Sequence, residues 1–401
     1  MKIDINEDKI EEILTRGVKE ILPTKDGLRD LLKSGKRLCI YIGTDATGTS
    51  LHLGHATNYM ILEKFRALGH EVIFLVGDFT ARIGDPTDKG ESARKQLTRE
   101  DVVENVKTWL HQIKPVIDID NKDNPVKILY NHEWLSILNF EAVLNLASNF
   151  TVQQMLERDM FQERIKKEQP LYLHELLYPL MQGYDSVVMD VDIEMCGGDQ
   201  KFNALAGRTL MRKLKNKEKF VFITTLLENP KTGEKMMSKS LGTGVFLDFE
   251  ANKMYGAIMA QPDENMRQLF VDGTRLDMKE IEDILKTENP RDTKMRLAKE
   301  VVAIYHGQES AQKAEDNFIN VFQKKDVPED IVTVSVEGNT EIAEVLFVNE
   351  IVKSKSEFRR LLDEGAISLN GERLEDPLTK VGDGGVIKVG KRRFVKIEVS
   401  K

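Results

Sequence analysis

The feature that most constrains this chain lies between residues 38 and 77. Two short apolar runs, Leu38-Cys39-Ile40-Tyr41-Ile42-Gly43 and Glu71 to Gly77, each end in glycine. Runs this apolar read as parallel strands buried on both faces. Between them Leu53, Met60, Ile61, Phe65 and Leu68 recur at helical spacing, and Gly69 follows as a C-cap. A strand, helix, strand unit makes a right-handed crossover in a parallel sheet, and ligands collect beyond the carboxyl ends of its strands. At that junction stands Tyr41-Ile42-Gly43-Thr44-Asp45-Ala46-Thr47-Gly48-Thr49-Ser50-Leu51-His52-Leu53-Gly54-His55.

A helix N-terminus offers unpaired N–H groups and a positive dipole end, so phosphate is a natural ligand there. The glycines permit close approach. His52 and His55 stand on one side of the first turn, where one can donate to phosphate and the other to ribose. The plainer alternative is a turn whose threonines and serines cap the helix. A second signal is Lys235-Met236-Met237-Ser238-Lys239-Ser240, flanked by Thr232-Gly233 and Leu241-Gly242. Lysine on such a loop can close over a leaving pyrophosphate, although a solvated charged loop fits the same letters. A third is Tyr178-Pro179-Leu180-Met181-Gln182-Gly183-Tyr184-Asp185, followed by Gly197-Gly198-Asp199-Gln200. Tyr178, Gln182 and Asp185 share one helix face, which could equally be a packing face with a polar edge.

The chain has 401 residues, long enough for two or three domains. With 41% apolar and 31% charged residues it lies in the globular range. The acidic, mixed start from Met1 to Asp8 is unlike a signal or transit peptide, and no stretch approaches a membrane-spanning length, so the cytoplasm is expected. Cys39 and Cys196 lack partners at metal-ligand spacing, so no tightly bound metal is expected. A net charge of −8 argues against indiscriminate binding to nucleic acid.

Another apolar run, Lys219-Phe220-Val221-Phe222-Ile223, reads as a strand. Residues 250 to about 325 read as helical, with Pro262 and Pro290 as punctuation, and the polar segment Lys325 to Asn339 reads as a linker. Beyond it, glycines punctuate short alternating strands. The helical stretch there carries Lys353, Lys355, Arg359 and Arg360, and a later hairpin carries Lys391 and Arg392. A compact basic surface of this kind can contact phosphates, whereas a charge run is more often a solvated face.

Taken together these motifs resemble the class I aminoacyl-tRNA synthetases. The histidine turn resembles their HIGH signature, the lysine loop their KMSKS signature, and the longer frame from Tyr41 to His55 the tyrosyl branch. Met236 departs from the pattern: it stands where the family's first lysine falls, and Lys235 lies one residue earlier. The resemblance implies an α/β, Rossmann-like parallel-sheet catalytic domain over 1–249. It implies an all-helical anticodon-arm domain over 250–335 and a small α+β, S4-like RNA-binding domain over 336–401.

It also implies activation of L-tyrosine by ATP, with Mg2+ accompanying the nucleotide, transfer to tRNA(Tyr), and a homodimer. Tyr178, Gln182 and Asp85 would hold the ammonium, with Thr80 nearby, while Tyr41 and Asp185 take the phenolic hydroxyl. Gln200 would lie beside the carboxylate. Gly43, Asp45, Gly54, Gly197, Asp199, Met237 and Ser238 would contact ATP, His55 would hold the ribose end, and Thr47, His52 and Lys239 would stabilise charge on the phosphates. Lys89, Lys235 and Arg94 would be further phosphate contacts. Three rivals stay open: the tryptophanyl branch, another nucleotidyltransferase with the same histidine signature, and an RNA-binding protein that has lost catalysis.

Overall fold

The computed structural model describes residues 2–84, 98–227, 244–286, 289–323, 331–337, 339–382, 384–390 and 393–400. The chain divides into two compact units, Met1–Ala311 and Gln312–Lys401.

The first unit is built on a six-stranded sheet of β1 (Val18–Leu22), β2 (Cys39–Thr44), β3 (Glu71–Val76), β4 (Lys127–Tyr130), β5 (Ile193–Gly197) and β6 (Phe220–Thr224). Their order across the sheet is β1-β6-β5-β2-β3-β4. All neighbours are parallel except β1, which runs antiparallel to β6 at one edge. From β2 the chain winds outward through β3 to β4, then returns to place β5 on the other side of β2. That reversal is the topological switch point, where the connections leaving β2 and β5 part to opposite sides and open a crevice.

Both expected strands and the crossover helix between them are present. The helix spans Leu53–Ala67 with Leu68 as its C-cap, so Gly69, at φ +96°, is the first residue beyond it. Its apolar stripe packs on the sheet through edge-on contacts of Tyr59 with Phe74 and of Phe65 with Phe222. A second helix pair, Leu173–Met189 and Lys201–Lys215, covers the β5 side. The pair crosses at Gly183 and Gly207, where a Cβ on Gly183 would sit 3.1 Å from the Gly207 backbone. Without side chains at that crossing the two helices approach closely.

The helices from Ala251 to His306 belong to this same unit. Arg16, only 7% exposed, fastens one of them by donating to the carbonyls of Phe270, Val271, Thr274 and Leu276.

The second unit has a five-stranded sheet of β7 (Val332–Glu337), β8 (Ile367–Leu369), β9 (Glu372–Arg373), β10 (Gly385–Val389) and β11 (Arg393–Ser400), in the order β7-β11-β10-β8-β9. Helices Ile342–Val348 and Lys355–Asp363 share a core with it that includes Leu346, Phe358, Ile387 and Val395. The expected linker from Lys325 to Asn339 is corrected in part: residues 332–337 form β7, parallel to β11. Val332, Val334 and Val336 alternate with polar residues, a half-buried strand pattern that the surrounding charge obscures. Among the described residues no helix is long and apolar enough to cross a membrane.

Candidate active site at the switch point

A cleft of about 430 Å³ opens where β2 and β5 diverge, and its wall includes residues from the carboxyl ends of β2, β3 and β5. Tyr41, Gly43, Asp45, Thr47, His52, Gly54, His55, Thr80, Tyr178, Gln182, Asp185, Gly197, Asp199 and Gln200 all line it. Residues as far apart in sequence as Tyr41 and Leu227 therefore meet around one space.

His52 is the N-cap of the 53–67 helix and His55 lies in its first turn. Their rings are 3.8 Å apart, and the His52 backbone N–H donates to His55 Nδ1 at 3.2 Å. With Nδ1 accepting, a neutral His55 carries its proton on Nε2. A Cβ on Gly54 would come within 3.2 Å of the His52 ring. Segment 245–247 pairs with this turn, Leu53 N–H donating to Val245 and Leu247 N–H to Leu51, while Leu227 lines the cleft. The stretch that holds Lys235, Met237, Ser238 and Lys239 is thus flanked by one residue that lines the cleft, Leu227, and by a segment paired with the histidine turn. Those four residues, like Asp85, Lys89, Arg94, Lys391 and Arg392, fall outside the described residues.

The floor is a connected polar network. Asp185, 2% exposed, accepts from Trp134 Nε1 at 2.7 Å and from Asn131 Nδ2 at 3.3 Å. Asn131 Nδ2 also donates to Thr80 Oγ1 at 3.1 Å, and Thr80 donates to Asp45 Oδ1 at 2.7 Å. Tyr178 donates its hydroxyl to Asp45 Oδ2 at 2.8 Å. Asp45 therefore ties Thr80 to Tyr178 across the floor. Gly77 makes this possible, because a Cβ there would lie 1.9 Å from Asp45 Oδ1 and 2.4 Å from Thr80 Oγ1.

Burial pushes the Asp185 carboxyl well above the usual carboxylate range; Glu194 and Asp45 add to that push, while the Trp134 and Asn131 hydrogen bonds oppose it. Tyr41, 1% exposed, is likewise raised, first by burial and then by Glu194 and Asp185, so its phenol stays protonated and able to donate. Burial also raises both thiols, Cys39 to about 12, which leaves them as un-ionised packing groups. The described residues hold no cluster of three or more His, Cys, Asp or Glu arranged for a metal ion.

Asn131, Trp134, Ser186, Glu194, Lys219 and Gly77 are not among the site residues expected from sequence. Asn131 could have been found: it directly follows the apolar run Ile128-Leu129-Tyr130, so it stands at a strand's carboxyl end, as Asp45 does. Nothing local marks the others, whose roles depend on what packs against them.

In the second unit Lys353, Lys355, Arg359 and Arg360 are all exposed around the helix that Ser354 caps. Lys355 pairs with Glu344 and Arg360 with Glu364, so part of this basic face is neutralised.

The family description "tRNA synthetases class I (W and Y)" matches residues 33–323, and "Tyrosine--tRNA ligase SYY-like C-terminal domain" matches residues 320–395. A tyrosine–tRNA ligase of Carboxydothermus hydrogenoformans is 42% identical over 97% of this chain and 98% of its own length. One of Haemophilus influenzae is 41% identical over 97% and 96%. The fold is similar to a C-terminally truncated mitochondrial tyrosyl-tRNA synthetase of Aspergillus nidulans, with a TM-score of 0.65 at 22% identity over 79% of this chain and 95% of that one. An Archaeoglobus fulgidus tyrosyl-tRNA synthetase complexed with L-tyrosine gives 0.60 at 22% identity over 78% and 100%. A parallel sheet whose switch point gathers the histidine turn and the Asp185 face, matched end to end by these relatives, places the chain in the class I tRNA synthetases, as a member of the tyrosine–tRNA ligase family.

Proposed function

We propose that this chain activates L-tyrosine with ATP, releasing pyrophosphate, and then passes the tyrosyl group to the terminal adenosine of tRNA(Tyr). The observation that carries the reading is the floor of the cleft, where the buried Asp185 accepts from Trp134 and Asn131 and lines the same space as Tyr41. Such a floor suits a hydroxyl that donates to Asp185 and accepts from Tyr41. An amino acid lacking it would leave buried polar groups unpaired; the general account of this effect takes this enzyme family as its own example, at ~10⁵-fold.

At the other end, Tyr178 and Gln182 would receive the ammonium, with Asp85 and Thr80 beside it, and Gln200 would lie at the carboxylate. A carboxylate oxygen attacks the α-phosphorus in line, the bond to the pyrophosphate oxygen breaks, and Mg2+ enters and leaves with the nucleotide. Positioning and electrostatics carry this step, with no covalent enzyme intermediate. His52, Thr47, Lys239, Lys235 and Lys89 would face the phosphates, and His55, Gly197 and Asp199 the adenosine. A ribose hydroxyl of the tRNA then attacks the tyrosyl carbonyl and AMP departs.

Residues 1–249 would serve as the catalytic part, 250–335 would receive the anticodon arm, and 336–401 would add RNA contacts through Lys353, Lys355, Arg359, Arg360, Lys391 and Arg392, all in the cytoplasm. A homodimer is supported by large apolar side chains exposed along one stretch, among them Ile137 at 78%, Phe140 at 76% and Leu173 at 75%. Sedimentation should show a dimer; an active monomer at all concentrations would refute it.

The deciding measurement is ATP–pyrophosphate exchange with tyrosine, phenylalanine and tryptophan. Tyrosine alone should support it, and Asp185→Ala should abolish it. Unchanged exchange in that variant would sink the assignment.

A further inference from the structure

At the wall of the cleft lies an ion pair that the reaction as described does not use, and one of its members, Glu194, lines the cleft itself. Lys219, which precedes β6, and Glu194, in β5, are 0% and 1% exposed and joined by a close contact between ammonium and carboxylate. Desolvation offsets much of the attraction in such a pair, so it is a weak source of stability. Its connections lead into the substrate pocket. Lys219 Nζ donates to Ser186 Oγ at 3.0 Å, and Ser186 Oγ lies 2.9 Å from Tyr41 Oη. On the other branch, Gln182 Nε2 donates to Glu194 Oε1 at 2.9 Å. Residue 207 is glycine, and a Cβ there would lie 2.5 Å from Lys219 Nζ and 3.1 Å from Ser186 Oγ, so a side chain would push the ammonium from this position.

An ammonium only donates and an ionised carboxylate only accepts, so the two ends of this network have fixed sense. Lys219 occupies a lone pair of Ser186 Oγ. Ser186 then has one hydrogen and two acceptors, Glu194 Oε2 at 3.4 Å and Tyr41 Oη at 2.9 Å, and the shorter contact favours the tyrosine. With that hydrogen received, Tyr41 has its own to direct at the cleft it lines. Glu194, by taking the Gln182 amide nitrogen, turns the amide oxygen toward a donor in the same cleft.

We propose that Lys219 and Glu194 are positioning residues that set the hydrogen-bonding sense of the amino-acid pocket. Lys219, through Ser186, makes Tyr41 a donor to the substrate hydroxyl, and Glu194 holds Gln182 with its oxygen toward the substrate ammonium. The inference rests on the tyrosine-activating reading and assigns part of its selectivity to Lys219 and Ser186, neither of which lines the cleft. A hydroxyl that accepts from Tyr41 is then free to donate to Asp185, whereas phenylalanine engages neither.

The test compares kcat/KM for tyrosine and phenylalanine in ATP–pyrophosphate exchange, with melting curves to confirm folding. Lys219→Met alone strands a buried carboxylate and is strongly destabilising. Ser186→Ala therefore carries the test, because it cuts the relay and leaves the ion pair intact. The double variant Glu194→Gln with Lys219→Met supports it by replacing the pair with neutral groups of similar size. Both should lower the preference for tyrosine by ~10-fold or more, through a raised KM for tyrosine, with the phenylalanine value unchanged. Equal losses for both amino acids, or an unchanged preference, would overturn the proposal and leave the pair a structural fastening. Absence of tyrosine-dependent exchange in the unsubstituted protein would instead overturn the functional reading.

Discussion

At Asp185 two opposed influences meet, and their balance decides whether the carboxyl can accept a proton-bearing hydroxyl. Burial and the neighbouring carboxylates raise it, whereas the hydrogen bonds from Trp134 and Asn131 favour the ionised form. Trp134→Phe removes the donor at 2.7 Å while keeping an aromatic ring. The carboxyl then rises further, and its ionised fraction at any given pH falls. The acid limb of kcat/KM for tyrosine should accordingly move to higher pH, with the deficit largest in mildly acid buffer and fading in alkaline buffer. A hydrogen bond to a charged group contributes about 1.5–3 kcal/mol, so the acid-side loss should be roughly tenfold or more. A pH–rate profile checks this, and a uniform loss at every pH would count against Asp185 as the titrating group.

Among the elements, the ends of strands carry most of the site. Gly77, just past β3, gives its Cβ space to Asp45, which then bonds both Thr80 and Tyr178. Gly77→Ala forces that carboxylate aside. A displacement of ~1 Å in a positioned group can cost about 10²-fold in rate, so a loss of that order in tyrosine-dependent exchange is expected, with folding retained. Steady-state exchange beside a thermal melt separates the two effects; full activity in a folded variant would show that Asp45 can move without consequence. The same glycine read from sequence is only a strand terminator. Its role emerges once β2 and β3 are paired in register, which brings Thr44 beside Val76 and so Asp45 beside Gly77.

For the whole molecule, the second compact unit bears the exposed basic helix 355–363, and β7 is part of its sheet. Removing residues 341–401 would strip β7 of its partner and leave an open strand edge, so the informative truncation ends the chain at residue 323. That truncation should leave tyrosine-dependent exchange near its original rate. It should reduce tRNA charging roughly tenfold or more, the consequence of losing as little as ~1.4 kcal/mol of RNA binding. Equal reductions in both assays would mean that this unit supports the fold of the first.

Local order was legible from sequence because local physics sets it. The apolar runs became β2, β3 and β6, the 3.6-residue stripe became the 53–67 helix, and the histidine turn fell at a helix N-terminus, as the winding of a strand into a helix requires. The offsets from Tyr178 to Asp185 likewise put three polar groups on one helix, and each of them lines the cleft. β7 escaped because charged residues crowd both sides of its alternating valines, and Trp134 because a four-residue strand followed by a four-residue helix gives little periodic signal. What only the tertiary structure decided is which distant groups face one another. Lys219 finds Glu194 and Ser186 because β5 and β6 lie side by side and two helices cross at glycines. Sequence carries propensity and pattern along the chain; contact across the sheet depends on strand order, and no residue's own preference encodes that.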